Sequence, residues 1–211
     1  MQTPHVAVRY SEPMETYTRF SDIPSFTQMS QYAVDYAWSH LGTWLEDMQS
    51  RGLQLNPDFQ RGHVWAPEQQ VSYVEFILRG GRSSRDILFN FPGYSYGLDA
   101  DVSDPNVGEF VCVDGLQRLT AAMAFMNNEI PAFGSFLRDY KGKPDFGVSF
   151  RLHVNNLPTR EAVLTWYLEL NSAGTPHTEI EIERVRALLV AEKTRRDAEP
   201  YQIATEAPRT R

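Results

Sequence analysis

Cysteine is nearly absent: Cys112 is the single one in 211 residues. No internal disulfide can form, which fits a reducing compartment such as the cytoplasm. Cys112 lies within the apolar run Phe110-Val111-Cys112-Val113, where a buried thiol behaves as a small hydrophobe. No apolar run approaches the roughly 20 residues of a membrane helix, so no membrane partner is expected. The N-terminus, "MQTPHVAVRYSEPMETY", lacks the basic-then-apolar layout of a signal peptide. Positive charge is in deficit, with 20 Lys and Arg against 27 Asp and Glu and a net charge of −7. That balance argues against a non-specific nucleic-acid coat protein but leaves room for a local basic groove. There is no internal repeat and no G-x-x-x-x-G-K-[ST] phosphate loop. With 42% apolar residues the chain is globular, and its length suits one domain of moderate size plus decorations.

What is present reads as mixed α and β. Residues 1–30, rich in Pro, Ser, Thr and Met, are expected to form an extended arm, 31–195 the folded domain and 196–211 a flexible tail. Val34, Trp38, Leu41, Leu45 and Met48 keep helical spacing, with Gly52 as the stop. "LQLNPDFQRGHVW" reads as a short strand running into a loop. Pro67 suits the first turn of a helix carrying Val71, Val74 and Leu78, which Gly80-Gly81 ends. "DILFNF" is a strand, and residues 92–108 form a long loop suited to a lid. "FGVSFRLHV" alternates strictly, placing Phe146, Val148, Phe150, Leu152 and Val154 on one strand face. A helix starts near Pro158-Thr159. After the turn "NSAGTPH", a last helix opens on the capping pair Thr178 and Glu181 and ends near Glu192.

The richest stretch is "FVCVDGLQRLTAAMAFM", residues 110–126. It begins with β-forming apolar residues and continues with Leu116, Leu119, Met123 and Met126 at helical steps. Asp114-Gly115 turns the corner, with Gln117 and Arg118 just inside the helix. A helix start offers free N–H groups and a positive dipole end, which bind anions. Gly115 permits close approach to the backbone. Arg118 supplies a forked donor for phosphate oxygens, and Gln117 a neutral donor and acceptor. Asp114 would repel phosphate, so at such a site it would hold Mg²⁺, orient Arg118 or take a proton from an attacking hydroxyl. The plain alternative makes Asp114 the helix N-cap and Arg118 a surface residue. Two further clusters stand out: Gln60, Arg61, His63 and Trp65, and Asn171, Ser172 and Gly174 in a turn between two amphipathic helices.

Three stretches, "PDFQRGHVWAPEQQVSYVEFILRG", "VDGLQRLTAAMAFM" and "LELNSAGTPHTEIEIERVRALL", carry a resemblance. In order and rough spacing they resemble the bacterial and phage family with the DGQQR signature. That family's first half forms the NTP-using subunit of a modification-dependent restriction enzyme, within the broader ParB/sulfiredoxin-like fold. The resemblance spans about residues 40–192. One position departs: Leu116 stands where the signature has its first glutamine.

The resemblance implies an α+β fold, a small mixed sheet surrounded by helices, in which the glycine corner holds the phosphates of ATP or another NTP with Mg²⁺. It implies that Gly115, Gln117, Arg118, Arg61 and Gln60 face the nucleotide, and that Asn171 with Gly174 closes the site. Members of this fold include a CTP-binding DNA-segregation switch, an ATP-using sulfinic-acid reductase and a free-serine kinase. In the kinase-like members a glutamate near the nucleotide assists the acceptor, and Glu75 is the helix-borne candidate, beside Asp114 and Arg118 as catalytic residues.

Three functions follow. The first is a phosphotransferase moving a γ-phosphoryl to an acceptor hydroxyl, with a modified base in DNA as the leading acceptor. The second is an NTPase switch that licenses a separate effector protein. The third is a nucleotide-dependent DNA-binding module. The restriction relatives carry a large C-terminal part with a His-Asn type metal nuclease motif. Here His5, His40, His63, His153 and His177 are dispersed, so a self-contained nuclease is not expected. A kinase needs nothing further in the chain, which places it narrowly first.

Overall fold

The computed structural model describes residues 16–23, 32–60, 62, 64–92, 109–142, 148–172 and 179–198. The strands are β1 (Tyr32–Ala37), β2 (Asp86–Asn90), β3 (Val111–Asp114) and β4 (Ser149–Asn155). The helices are α1 (Trp38–Ser50), α2 (Pro67–Leu78), α3 (Leu116–Met126), α4 (Arg160–Ser172) and α5 (Glu179–Ala198). The four strands form one mixed sheet in the order β1-β4-β2-β3. β4 is antiparallel to β1 and parallel to β2, and β2 is antiparallel to β3. This is the expected α+β class.

Alternation along the strands sorts residues onto two faces. Val34, Tyr36, Phe150, Leu152, Val154, Ile87, Phe89 and Cys112 belong to one core, shared with Leu41 and Leu45 of α1, Val74 and Ile77 of α2, and Leu119 and Phe125 of α3. Aromatic pairs set the spacing: Trp38 lies 5.3 Å from Phe150 and Trp44 lies 5.5 Å from Phe89, ring centre to ring centre. The second core is smaller. Val111, Val113 and Leu88 meet Phe59, Val163, Leu164, Trp166 and Tyr167, with Val185 of α5 behind them. Asp35, Arg151, Asp86 and His153 stand on this second side nearer β1, joined as Arg151–Asp35 and His153–Asp86 pairs.

Asn90 is fully buried and fully used. Its amide nitrogen donates to the carbonyls of Glu109 and Leu157, and its oxygen accepts from Leu157 N–H at 2.8 Å. A buried amide so satisfied fixes the chain where it enters β3 and leaves β4. Arg160, at the start of α4, binds Asp58 (2.6 Å), Glu109 and Glu192 (3.5 Å), gathering four distant segments. Burial opposes its charge, but the hydrogen bonds and charges of Asp58 and Glu109 outweigh this and raise its pKa.

The structure changes several expectations. Residues 32–37, Val34 among them, form β1, so the helix begins at Trp38 and not before it. The strand expected in "LQLNPDFQRGHVW" is one parallel bridge, Gln54 to Val111, because Pro57 and the turn at 55–60 stop the ladder. The last helix continues past Glu192 and past residue 195 to Ala198, where Arg196 binds Glu161 of α4 at 2.6 Å. Within the expected arm, residues 16–23 are exposed and hold one 3-10 turn, Phe20–Asp22. The rest of the arm, residues 93–108 of the lid expected over 92–108, Phe146, Thr178 and the tail from 199 lie outside the described residues.

Candidate functional site

Gly115 turns the chain from β3 into α3 with φ of +105°, a left-handed value that glycine alone adopts at no cost. A Cβ there would sit 2.6 Å from Ile87 Cδ1 and 3.3 Å from its Cα. The space a side chain would take belongs to β2, so the glycine serves packing. Gly115, and not Asp114, is the N-cap of α3, and among the described residues no side chain caps the helix. Its first N–H groups therefore have no capping side chain among those residues.

Asp114 points outward, with 56% of its side chain exposed, and its Oδ2 accepts from Arg118 Nη2 at 2.5 Å. Arg118 is mostly covered, and its Nε is buried without a hydrogen-bond partner. On its other side Arg118 borders a cavity of about 540 Å³ walled by Trp65, Tyr73 and Phe76, with Glu68, Gln69 and Ser72 at the margin. Trp65 and Tyr73 pack with ring centres 5.3 Å apart. Burial pushes the Tyr73 hydroxyl pKa well up, against the pull of Arg118 and Arg85. This hydroxyl donates to the Ser84 carbonyl at 2.8 Å.

Gln117 faces the protein. Its Oε1 accepts from the N–H groups of Val64 (2.9 Å) and Trp65 (3.1 Å), and its Nε2 donates to the Gly62 carbonyl (2.6 Å). The first turn of α3 is therefore tied to the 62–65 loop. Gln60 donates to the Cys112 carbonyl beneath the same corner. Both glutamines position backbone here. Leu116 is part-buried on the helix and makes neither contact. Cys112 is wholly buried, and burial first, then Asp114, pushes its thiol pKa up.

Glu75 is not brought to the corner. Its carboxylate accepts from Phe133 N–H at 2.7 Å, beyond the end of α3, eight residues along α2 or roughly 12 Å of helix from Pro67. Asn171 closes the last turn of α4, donating to the Tyr167 carbonyl at 2.7 Å. Tyr167 meets Phe59 at 5.1 Å, so α4 packs beside the Gln60 segment. Arg61, His63 and Gly174 lie outside the described residues. Among the described residues no group of three or more His, Cys, Asp or Glu could hold a metal ion. His153 and Asn156 do have His-x-x-Asn spacing, but His153 Nε2 lies 2.7 Å from Asp86.

A second cavity, of about 630 Å³, opens at the same end of the sheet and contains Arg79, Arg82, Arg85 and Arg151 with Asp35 and Asp86. None of these arginines stood out in the sequence analysis. The available signal was "RGGRSSR", an arginine at every third position from 79 to 85 in a chain of net negative charge.

Fold and site together define a small α+β protein whose strand-to-helix corner presents an uncapped helix start beside a covered arginine. Residues 41–146 match the family described as the GmrSD restriction endonuclease, N-terminal domain; this is half of the chain, which belongs to that family. The matched part runs from α1 through the turn after α3, and leaves β1, β4, α4 and α5 outside. No curated protein and no solved structure matches the chain. Among the described residues no helix is long and apolar enough to cross a membrane.

Proposed function

We propose that the chain is a nucleoside-triphosphate-dependent switch subunit of a DNA restriction system, acting on a separate effector protein, with the β3–α3 corner as its phosphate site. The observation that carries this reading is the uncapped start of α3 beside Arg118, whose Nε is buried without a partner next to an aromatic-walled cavity. Backbone N–H groups and the dipole would take the phosphates. The Arg118 fork would turn from Asp114 to a phosphate oxygen. The Asp114–Arg118 pair is half-exposed on the acid side, so separating it costs little. Asp114, released, would hold Mg²⁺ together with the phosphates, since Mg²⁺ commonly takes one or two carboxylates and completes its shell with phosphate and water.

Such a corner can also signal. Gln117 joins the first turn of α3 to residues 62–65, so a shift of the helix start on nucleotide binding or hydrolysis would reach that loop. The family membership favours this switch over the phosphotransferase. Against the phosphotransferase also counts that Glu75 accepts from Phe133 N–H, beyond the end of α3. The ParB/sulfiredoxin-like fold remains part of the proposal through the resemblance of the Asp114–Arg118 signature.

The deciding experiment follows γ-labelled ATP or GTP with Mg²⁺, with and without DNA carrying ordinary or hydroxymethylated bases. Free phosphate, released faster with DNA, is the expected result. Label appearing on DNA would restore the phosphotransferase, and label staying on the nucleotide throughout would remove both enzymes.

A further inference from the structure

The connection from α2 to β2 is built with unusual care for a surface segment. Gly80 turns with φ of +88°, and a Cβ on Gly81 would sit 2.6 Å from the Phe76 carbonyl oxygen. Ser84 is held at φ of +59°, a strained value for a residue with a side chain. Tyr73 clamps the Ser84 carbonyl, and Arg85 Nε donates to the Gly81 carbonyl at 2.7 Å. This rigid turn presents Arg79, Arg82 and Arg85, which meet Arg151 of β4 around the cavity of about 630 Å³.

The charges do not cancel there. Among the described residues, four guanidinium groups share the cavity with two carboxylates, Asp35 and Asp86. Asp86 is engaged by His153 at 2.7 Å, and Asp35 only approaches Arg151, at 3.9 Å. Arg79 and Arg82 are exposed and have no side-chain hydrogen bond or ion pair among the described residues. Arg79 also sits at the C-terminus of α2, where a cation answers the helix dipole. That role does not extend to Arg82, which lies beyond the turn, or to Arg151, which comes from another element. A net-acidic chain that collects four arginines from two elements around one concavity offers a local attraction for a polyanion. Planar forks held on a stiff turn suit phosphodiester oxygens.

We infer that Arg79, Arg82, Arg85 and Arg151 form a docking surface for the phosphodiester backbone of a nucleic-acid duplex, separate from the β3–α3 corner and independent of any nucleotide bound there. Ser84 borders the corner cavity while Arg82 and Arg85 border this one, so the 79–86 connection is the wall between the two.

The test is fluorescence anisotropy of a short labelled DNA duplex at rising KCl, with the intact chain. Two to four neutralised phosphates predict a log-log salt slope of roughly −2 to −4. The double variant Arg79→Glu and Arg82→Glu should weaken binding at least about tenfold and flatten the slope by about 1 for each arginine that contacts phosphate. Arg82→Ala alone removes a side chain without a hydrogen bond or ion pair among the described residues and keeps the result readable should the double change disturb folding. The affinity for ATP, measured separately by calorimetry, should be the same in all three proteins. Equal DNA affinity and equal slope in wild type and variants would overturn the inference, as would displacement of the duplex by polyglutamate as readily as by unlabelled DNA. A parallel loss of ATP affinity in Arg82→Ala would also overturn it, by assigning the arginines to the nucleotide.

Discussion

Two cavities open at one end of the sheet, on either side of residues 79–86, and they differ in kind. Among the described residues the corner cavity has aromatic walls, Trp65, Tyr73 and Phe76, and one cation, the covered Arg118. The neighbouring one has four arginines and no aromatic residue among the described residues of its lining. An aromatic wall with one fork suits a ligand that combines a flat face with a localised anion. Spread guanidinium groups suit charge repeated along a chain. The elements that build them differ too: the corner belongs to the family-matched half, while Arg151 and Asp35 of the second cavity come from outside residues 41–146 at its far side and its start.

The sharpest way to break the comparison is to collapse the corner alone. Gly115→Ala forces a Cβ against Ile87 at 2.6 Å and a left-handed φ on a residue that resists it. Overpacking of about 1–3 kcal/mol and roughly 1–2 kcal/mol for the backbone should add, and urea unfolding would register the sum. Wild-type stability in that variant would mean that β2 and β3 separate easily. Next in size, Arg118→Ala should weaken NTP binding by about 1.5–3 kcal/mol, the scale of a charged hydrogen bond, while leaving the salt-dependent affinity for DNA unchanged. Calorimetry of both ligands on one variant checks this, and a loss in both would merge the two cavities into one site. Asp114→Asn separates binding from turnover. Because Asp114 caps nothing, the change should leave stability nearly unaltered, and much of the nucleotide affinity should remain while phosphate release falls by orders of magnitude. A fully active variant would remove Asp114 from the mechanism.

The smallest effect concerns pH. Burial raises the pKa of both Cys112 and Tyr73, so the folded protein holds these protons more tightly than the unfolded chain does. Their contribution is complete below the ordinary thiol pKa of about 8.5 and is lost as pH rises past it, first through Cys112 and then through Tyr73. The unfolding midpoint should therefore decline above that pH, and Cys112→Ala or Cys112→Ser should remove the earlier part of the decline. A flat profile would contradict the burial of the thiol.

Much of the architecture was legible because local signals agreed with tertiary demands. Pro67 starts α2 with Gln69 closing on Ala66 N–H, Thr159 Oγ1 receives Ala162 N–H at the start of α4, and Phe150 and Leu152 occupy one face of β4 as their alternation requires. β1 was hidden because Val34 and Trp38, then Leu41, happen to continue a helical spacing, while Ala33 and Ala37 blur the alternation that would have marked a strand. The corner was legible as a corner, yet the reasons for its residues were not. That Gly115 makes room for Ile87, that Gln117 holds the 62–65 loop and that Glu75 answers Phe133 are contacts between segments from 28 to 58 positions apart. Spacing along one chain does not encode them. The arginine surface was half legible, since its three sequential members share a step of three, while Arg151 joins only when β4 pairs with β2.

That pairing has a temporal side. β4 lies between β1 and β2, so it supplies hydrogen-bond partners to both, in registers such as Tyr36 to Phe150 and Ile87 to Leu152. Of the four described strands it leaves the ribosome last. Until it emerges, among the described strands β1 has no neighbour and β2 has only β3, and closing β1 onto β4 draws together residues more than a hundred positions apart. Such distant closure makes folding slow relative to helical domains of the same size. It also leaves two strand edges open in the meantime, the condition under which nascent chains pair with one another or recruit a chaperone.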